Sequence, residues 1–292
     1  MKTRSIEQVV APQPAHFVGD GFRVHNFIPS MPGMSMQRMD PFIMLDYNSK
    51  YEFGPSEIPR GVGVHPHKGF ETVTIAYKGR VEHGDSSGGG GIIGEGDVQW
   101  MTAASGVLHK EFHEIEWSKT GGLFQMVQLW VNLPAKDKKG PAKYQAIEHA
   151  QMTKYNLEDG LGVVEVIAGN YKTAKGPAST FTPVHMSNFK AKAGGKASYN
   201  FPEHYNVMLL VIEGEMKVNG EYLIPQDHMV VMQHDGETFE VEATQDAVIL
   251  VLAGEPINEP IAHYGPFVMN TRDELVEVVN DFNAGKFGEL SE

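Results

Sequence analysis

The chain has 292 residues, 13 His, no Cys and a formal net charge of -13 with His neutral. The missing thiols exclude thiolate metal ligands, iron–sulfur clusters, a Cys nucleophile and disulfides. The acidic balance repels nucleic-acid phosphates and no run of Lys and Arg offers a local patch, so no direct nucleic-acid partner is expected.

The length suits two medium domains, since domains usually hold about 100–150 residues. No apolar run reaches the roughly 20 residues that span a membrane. The basic start, Met1-Lys2-Thr3-Arg4-Ser5-Ile6-Glu7, is not followed by the apolar core of a signal peptide. The expectation is a soluble, cytoplasmic protein with no membrane partner.

Residues 1–50 hold short apolar patches broken by Pro and Gly. Phe22–Phe27 alternates like a strand, with His25 as a surface or pocket-rim residue, and Pro41–Tyr47 reads as a buried strand. Across 72–77, Val73, Ile75 and Tyr77 alternate with Thr72, Thr74 and Ala76. Gly79 marks a turn and Val81-Glu82-His83 starts a return strand. The run Gly84–Gly91 is Gly-rich, but a phosphate cradle needs a following helix and usually a Lys. Ile92-Ile93-Gly94-Glu95-Gly96-Asp97 supplies neither, so a loop between strands is expected. Val98–Thr102 and Phe124–Leu133 read as further strands.

Pro134–Pro141, with Pro at both ends and charge between, is the best boundary. Lys136, Lys138 and Lys139 there read as a solvated linker. The expected division is 1–134, a linker over 135–148, and 149–292. Thr72–Gly79 and Asn206–Gly214 share a strand–Gly–strand rhythm, which suggests two domains of one architecture arising by duplication. The end changes period. Thr271-Arg272-Asp273-Glu274 is a capping box, Leu275, Val278, Val279 and Phe282 recur at helical spacing, and Gly285 suits a left-handed closing residue. A helix over 271–284 is expected to pack its apolar stripe on the β body.

Two stretches carry candidate chemistry. His65 and His67 lie two apart in one strand-like segment, and His109 and Glu111 two apart in another. Residues two apart on a strand share a face. Brought together, three imidazoles and a carboxylate form a full protein ligand set for a divalent first-row metal. Against this, 13 His make some close pairs by chance, and a buried His is more often hydrogen-bonded core than ligand. His113-Glu114 invites comparison with the zinc-protease motif His-Glu-x-x-His, but position 117 is Trp and the motif fails.

His65-x-His67-(x)3-Glu71-(x)7-Gly79 resembles the first motif of cupins. The strings HPHKGFETVT, GEGDVQWMTAASGVLH, QLWVNLP and GEPINEPIAHYGPFVMNTRDE resemble pirin, the two-domain cupin family. The resemblance implies an all-β bicupin of two β-barrel (jelly-roll) domains facing each other, with a C-terminal helix and metal only in the N-terminal barrel. It implies His65, His67, His109 and Glu111 as ligands. In many other cupins the Glu71 position supplies the fourth ligand, and strand parity does not separate the two; following pirin leaves Glu71 as a neighbour. Ala104 and His113 stand where cupins usually carry Pro and Asn.

The same resemblance implies one metal ion per chain; the donor set, with no thiolate, suits Fe(II), Mn, Co, Ni, Cu(II) or Zn, and availability and redox need favour iron(II). The resemblance implies O2-dependent cleavage of quercetin or a related flavonol, with Glu111 as ligand and proton acceptor. Phe53, Trp100 and Met101 are candidates to line an apolar pocket for the flat substrate, each equally readable as core. The alternative class is a non-catalytic, iron-dependent co-regulator that binds a protein partner.

Overall fold

The computed structural model describes residues 2–291. The alternating stretch at 72–77 lies in the strand Phe70–Lys78, third in a seven-stranded antiparallel sheet. The sheet order is Lys143–Ile147, Val98–Thr102, Phe70–Lys78, Gly122–Asn132, Phe42–Phe53, Phe22–Ile28 and His16–Val18. A four-stranded sheet accompanies it, in the order Gly61–His67, Val107–His113, Val81–Asp85 and Gly90–Ile93.

The second half repeats this plan. Asn206–Glu213 is third in a seven-stranded sheet ordered Ile6–Val10, Met229–Met232, Asn206–Glu213, Ala247–Gly254, Val184–Ala191, Gly162–Ala168 and Thr153–Asn156. Its four-stranded sheet runs Lys196–Asn200, Thr238–Ala243, Glu215–Val218, Tyr222–Pro225. The shared strand–Gly rhythm has a physical basis. Gly79 and Gly214 close their strands at φ +85° and +75°, a region that suits Gly. A Cβ there would also meet the Phe124 ring at 2.6 Å or the Asp246 carbonyl at 2.2 Å.

Two compact units result, and neither is contiguous. Residues up to Pro12 join Ala150–Pro256, while Gln13–His149 joins Ile257 onward. The first exchange is made by Ile6–Val10, which pairs with Met229–Met232, and by Arg4. The buried Arg4 guanidinium donates to the carbonyls of Gly236, Tyr205 and Pro202 at 2.9, 2.8 and 2.7 Å. The second is made by the C-terminal helix Arg272–Asn283. Thr271 and Glu274 form the expected capping box, and Gly285 takes φ +73°. Leu275, Val278 and Val279 pack with Phe267, Met269, Phe287 and Leu108, so the stripe docks on the unit that contains the His-x-His strand.

The stretch 135–148 is not a solvated linker. Lys143–Ile147 is an edge strand on Val98–Thr102. Lys138 is only 1% exposed. Its ammonium donates to Asn132 Oδ1 at 2.6 Å and to the Gly69 and Val268 carbonyls at 2.7 and 3.2 Å. Three N–H groups meet three acceptors, which is what allows a lysine to be buried at all. Lys139 stays exposed, near Glu274 and Glu277 on the helix. The Gly-rich run is a hairpin between Val81–Asp85 and Gly90–Ile93 with no helix after it. Asp85 organises it, accepting from Ser87 N, Ser87 Oγ and Gly89 N at 2.7, 2.6 and 3.1 Å. No helix among the described residues is long and apolar enough to cross a membrane.

Candidate metal centre

The centre sits on the four-stranded sheet of the first barrel. Gly61–His67 and Val107–His113 pair antiparallel, with His65 opposite His109. Between there and the pairing of Glu111 with Val62, the register shifts by one extra residue on the Gly61–His67 strand. Such a bulge twists the strand locally and re-aims side chains. His65 is half-buried, and His67, His109 and Glu111 are buried.

His65 Nδ1 lies 2.8 Å from the Gly63 carbonyl. A carbonyl only accepts, so Nδ1 donates to it and Nε2 is the nitrogen turned to the other histidines. That Nε2 faces His67 Nε2 at 3.1 Å. Two nitrogens about 2.1 Å from one ion, at a right angle, stand roughly 3 Å apart, so this spacing fits a metal. His67 Nδ1 and His109 Nδ1 are buried without a hydrogen-bond partner, and His109 Nε2 has the Glu111 carboxylate beside it, Oε2 at 3.3 Å. Buried imidazole nitrogens normally find partners, and several without them in one place fit a cation site.

Charge is set for ligation. Burial lowers His67 well below the usual imidazole range, helped by His109 and His65. Burial also lowers His109, to about 4, against the pull of Glu111. Both are therefore neutral at pH 7. Burial opposes the charge on Glu111, but His109, with Nε2 3.3 Å from Oε2, and the nearby His83 and His65 hold its carboxyl well below the usual range. Gln128 Nε2 donates to Glu111 Oε2 at 2.7 Å and Thr74 Oγ1 to Oε1 at 3.3 Å, which fixes the carboxylate. Neutral imidazoles and an ionised carboxylate are the forms that bind metal.

The four expected residues fall into two overlapping groups. His65, His67 and His109 form one; Glu111 shares the other with His109 and His83. Each group has its ligand atoms within 4.8 Å of one another. His83 was not singled out by sequence reasoning. It sits on Val81–Asp85 opposite Glu111, and its ring stands 4.6 Å from that of His109. The faint signal was its place, two residues into a return strand beside the motif strands.

Glu71 stands apart from both groups. Its Oε1 accepts from Thr102 Oγ1 at 2.7 Å, and burial raises its carboxyl to about 7 against the hydrogen bonds from Thr102 and Trp100. His113 is remote as well: its Nε2 donates to the Gly21 carbonyl at 2.8 Å among Phe22, Phe53, Trp117 and Phe124. Glu114 caps the short helix Ile115–Thr120. His25 bridges Ser49 and the Gln13 carbonyl.

A cavity of about 370 Å³ adjoins the centre. His65, His67 and Glu111 line it, with an apolar wall of Val18, Phe22, Val24, Met44, Val62, Met126 and Trp130; Asp46 and Gln128 add polar edges. Phe53, Trp100 and Met101 are not in this wall; they are core. Trp130 lies 5.4 Å from the His67 ring and stacks on Phe70 at 4.1 Å.

The second barrel has nothing comparable among its described residues. Where the first pairs His65 with His109, the corresponding strands Lys196–Asn200 and Thr238–Ala243 pair Tyr199 with Phe239. Those rings stack at 5.3 Å inside an apolar core that also holds Phe201, Met216 and Val241. That core is aromatic and aliphatic, with no cluster of potential metal ligands among its described residues.

Two antiparallel barrels of one plan, one with a histidine-rich centre and one packed with aromatic and aliphatic side chains, define a two-domain cupin. The family model "Pirin" matches residues 21–131 and the model "Pirin C-terminal cupin domain" matches 186–288. The chain belongs to the pirin family. A Pseudomonas aeruginosa relative, which carries the provisional name quercetin 2,3-dioxygenase, is 45% identical over 273 residues, 93% of this chain and 94% of that one. A pirin-like protein of Solanum lycopersicum is 36% identical over 274 residues, 92% of this chain and 88% of that one. A solved structure described as a quercetin 2,3-dioxygenase of Acinetobacter baumannii is 47% identical, with a TM-score of 0.92, covering 99% of this chain and all of that one.

The two candidate carboxylates predict opposite behaviour. Glu111→Gln removes charge from the centre and is expected to weaken metal binding by more than the roughly 10–100-fold typical of losing a supporting group. Glu71→Gln is expected to leave metal affinity nearly unchanged and to alter pH dependence instead. Burial raises the Glu71 carboxyl to about 7 in the folded chain, from its ordinary 4.5. Its stabilising contribution is thus complete below pH 4.5 and lost as pH rises through 7. Glu71→Gln, which keeps the side chain neutral, is expected to flatten this fall and to gain up to about 3 kcal/mol at pH 8 relative to wild type. Metal titrations, with urea unfolding at pH 5 and pH 8 in chelator, check both. A larger metal loss for Glu71→Gln would place Glu71 in the centre.

Proposed function

We propose that this protein is a metal-dependent dioxygenase that cleaves the heterocycle of quercetin or a related flavonol. Both atoms of O2 enter the product and one ring carbon leaves as carbon monoxide. The observation that carries the reading is a cluster of imidazoles and a carboxylate beside an apolar cavity of about 370 Å³. Sites for small ligands usually measure about 300–1,000 Å³. The likeness to relatives named for this reaction supplies the substrate class.

His65, His67, His109 and Glu111 would hold one divalent ion. With no thiolate available the set suits Fe(II), Mn, Co, Ni, Cu(II) or Zn, and the need to handle O2 favours iron. When bound, the ion supplies Lewis-acid charge and a template for substrate and O2. The chain does the rest. Val24, Met44, Met126 and Trp130 receive the flat rings and exclude water, which places the reacting atoms without the entropy cost of an encounter. Gln128 and Thr74 hold the Glu111 carboxylate in place. In this reading Glu111 takes the proton of the flavonol hydroxyl on a carboxylate oxygen. Asp46 edges the same cavity; burial pushes its carboxyl up, opposed by the Asn26 amide donating to it at 2.7 Å.

An oxygen electrode tests the proposal. Protein loaded with each candidate metal in turn, given quercetin, is expected to consume O2 and release carbon monoxide in equal amounts. Glu111→Gln forced to bind metal at high concentration is expected to stay slow, and recovery to the wild-type rate would leave Glu111 a ligand only. No O2 uptake with any metal would reject the enzyme and favour the non-catalytic, protein-binding reading.

A further inference from the structure

His83 is the member of the centre that the proposed reaction does not use. It is buried, and neither ring nitrogen has a hydrogen-bond partner. Its Nε2 stands 3.6 Å from Asp85 Oδ2, which is itself unpartnered, and its ring lies parallel to Tyr144 at 5.4 Å. On the other side it meets His109 and Glu111, and the three present ligand atoms within 4.8 Å of one another. All three are at most 4% exposed. Two imidazoles and a carboxylate suit the same borderline metals as the outer histidines. A buried imidazole with both nitrogens unsatisfied is costly unless something fills the place.

We propose that His83, His109 and Glu111 form a second, inner station for the metal ion, next to the outer station of His65, His67 and His109. The proposal rests on the metal-centre reading above. Both triads need His109, so the stations are alternative positions for one ion and stoichiometry stays at one per chain. They differ in access. The substrate cavity is lined by His65 and His67 of the outer triad and by Glu111 of the inner one, while His83 lines a separate cavity of about 420 Å³ with Glu82, Lys110 and Phe112. An ion in the outer station therefore borders the substrate space through two of its ligands, His65 and His67, whereas one in the inner station borders it through Glu111 alone. The pair of stations gives the barrel two positions for one ion that differ in how many of its ligands the substrate space reaches.

Co(II) absorption is the probe, because its d–d bands report the ligand set without any turnover. The full-length protein is stripped with chelator and titrated with Co(II) under argon. The wild type is expected to bind one Co(II). The double variant His65→Ala/His67→Ala, which leaves the inner triad whole, is expected to keep one Co(II) with at least about 10-fold weaker affinity and a shifted spectrum. Adding His83→Asn to that double variant is expected to abolish binding. Thermal melts in chelator confirm the fold of each variant, and His83→Gln replaces the Asn variant if the latter melts early. A double variant that binds no Co(II), or one whose binding is indifferent to His83, overturns the inner station alone. A wild type that binds none overturns the metal centre itself, and the inner station with it.

Discussion

His109→Ala is expected to abolish tight metal binding, lowering affinity by well over the roughly 100-fold that loss of a supporting group costs. The reason is geometric. His109 belongs to both clusters of ligand atoms and faces His65 across the strand pair, so no arrangement of the remaining residues replaces it. Flavonol-dependent O2 uptake is expected to disappear with the metal. Calorimetric titration of the stripped variant with Fe(II), Co(II) or Ni(II) checks this. Affinity within 10-fold of wild type would remove His109 from the centre.

Lys138→Met is expected to cost roughly 3–5 kcal/mol of folding stability. The methionine fills similar space but donates nothing. Asn132 Oδ1 and the Gly69 and Val268 carbonyls would be left buried without the ammonium that bonds them. Gly69 follows the His-x-His strand by two residues and Val268 belongs to the segment that returns from the C-terminus, so the lysine ties that segment to the loop beside the ligands. Urea unfolding at pH 7 measures the loss. A change below 1 kcal/mol, within the range of ordinary surface substitutions, would contradict the role given to Lys138.

The features legible in the sequence were those set by local periodicity. Val73, Ile75 and Tyr77 announced a strand, Thr271 and Glu274 a helix start, and the two-residue spacing of His65 with His67 and of His109 with Glu111 a shared face. These depend on neighbours within a few positions. What was missed depends on partners far along the chain. His83 joins the centre only because Val81–Asp85 pairs with Val107–His113 and sets it opposite Glu111. Lys138 looked solvated because two of its three acceptors, Gly69 and Val268, lie 69 and 130 residues away. The cavity wall gathers Val18, Met44, Met126 and Trp130 from separate strands, while Phe53, Trp100 and Met101, nearer to the motifs in sequence, turned into the core. Pro134–Pro141 has the composition of a boundary, yet the units exchange their terminal segments, and composition carries no trace of which body a terminal strand will join.

The central claim is a single metal centre, confined to the first barrel. Elemental analysis of the chain, purified without a histidine tag and then dialysed, tests it most directly. The expected result is close to one divalent transition-metal ion per chain in the wild type and close to none in His109→Ala. Two tightly held ions per chain, or one ion retained by His109→Ala, would contradict it.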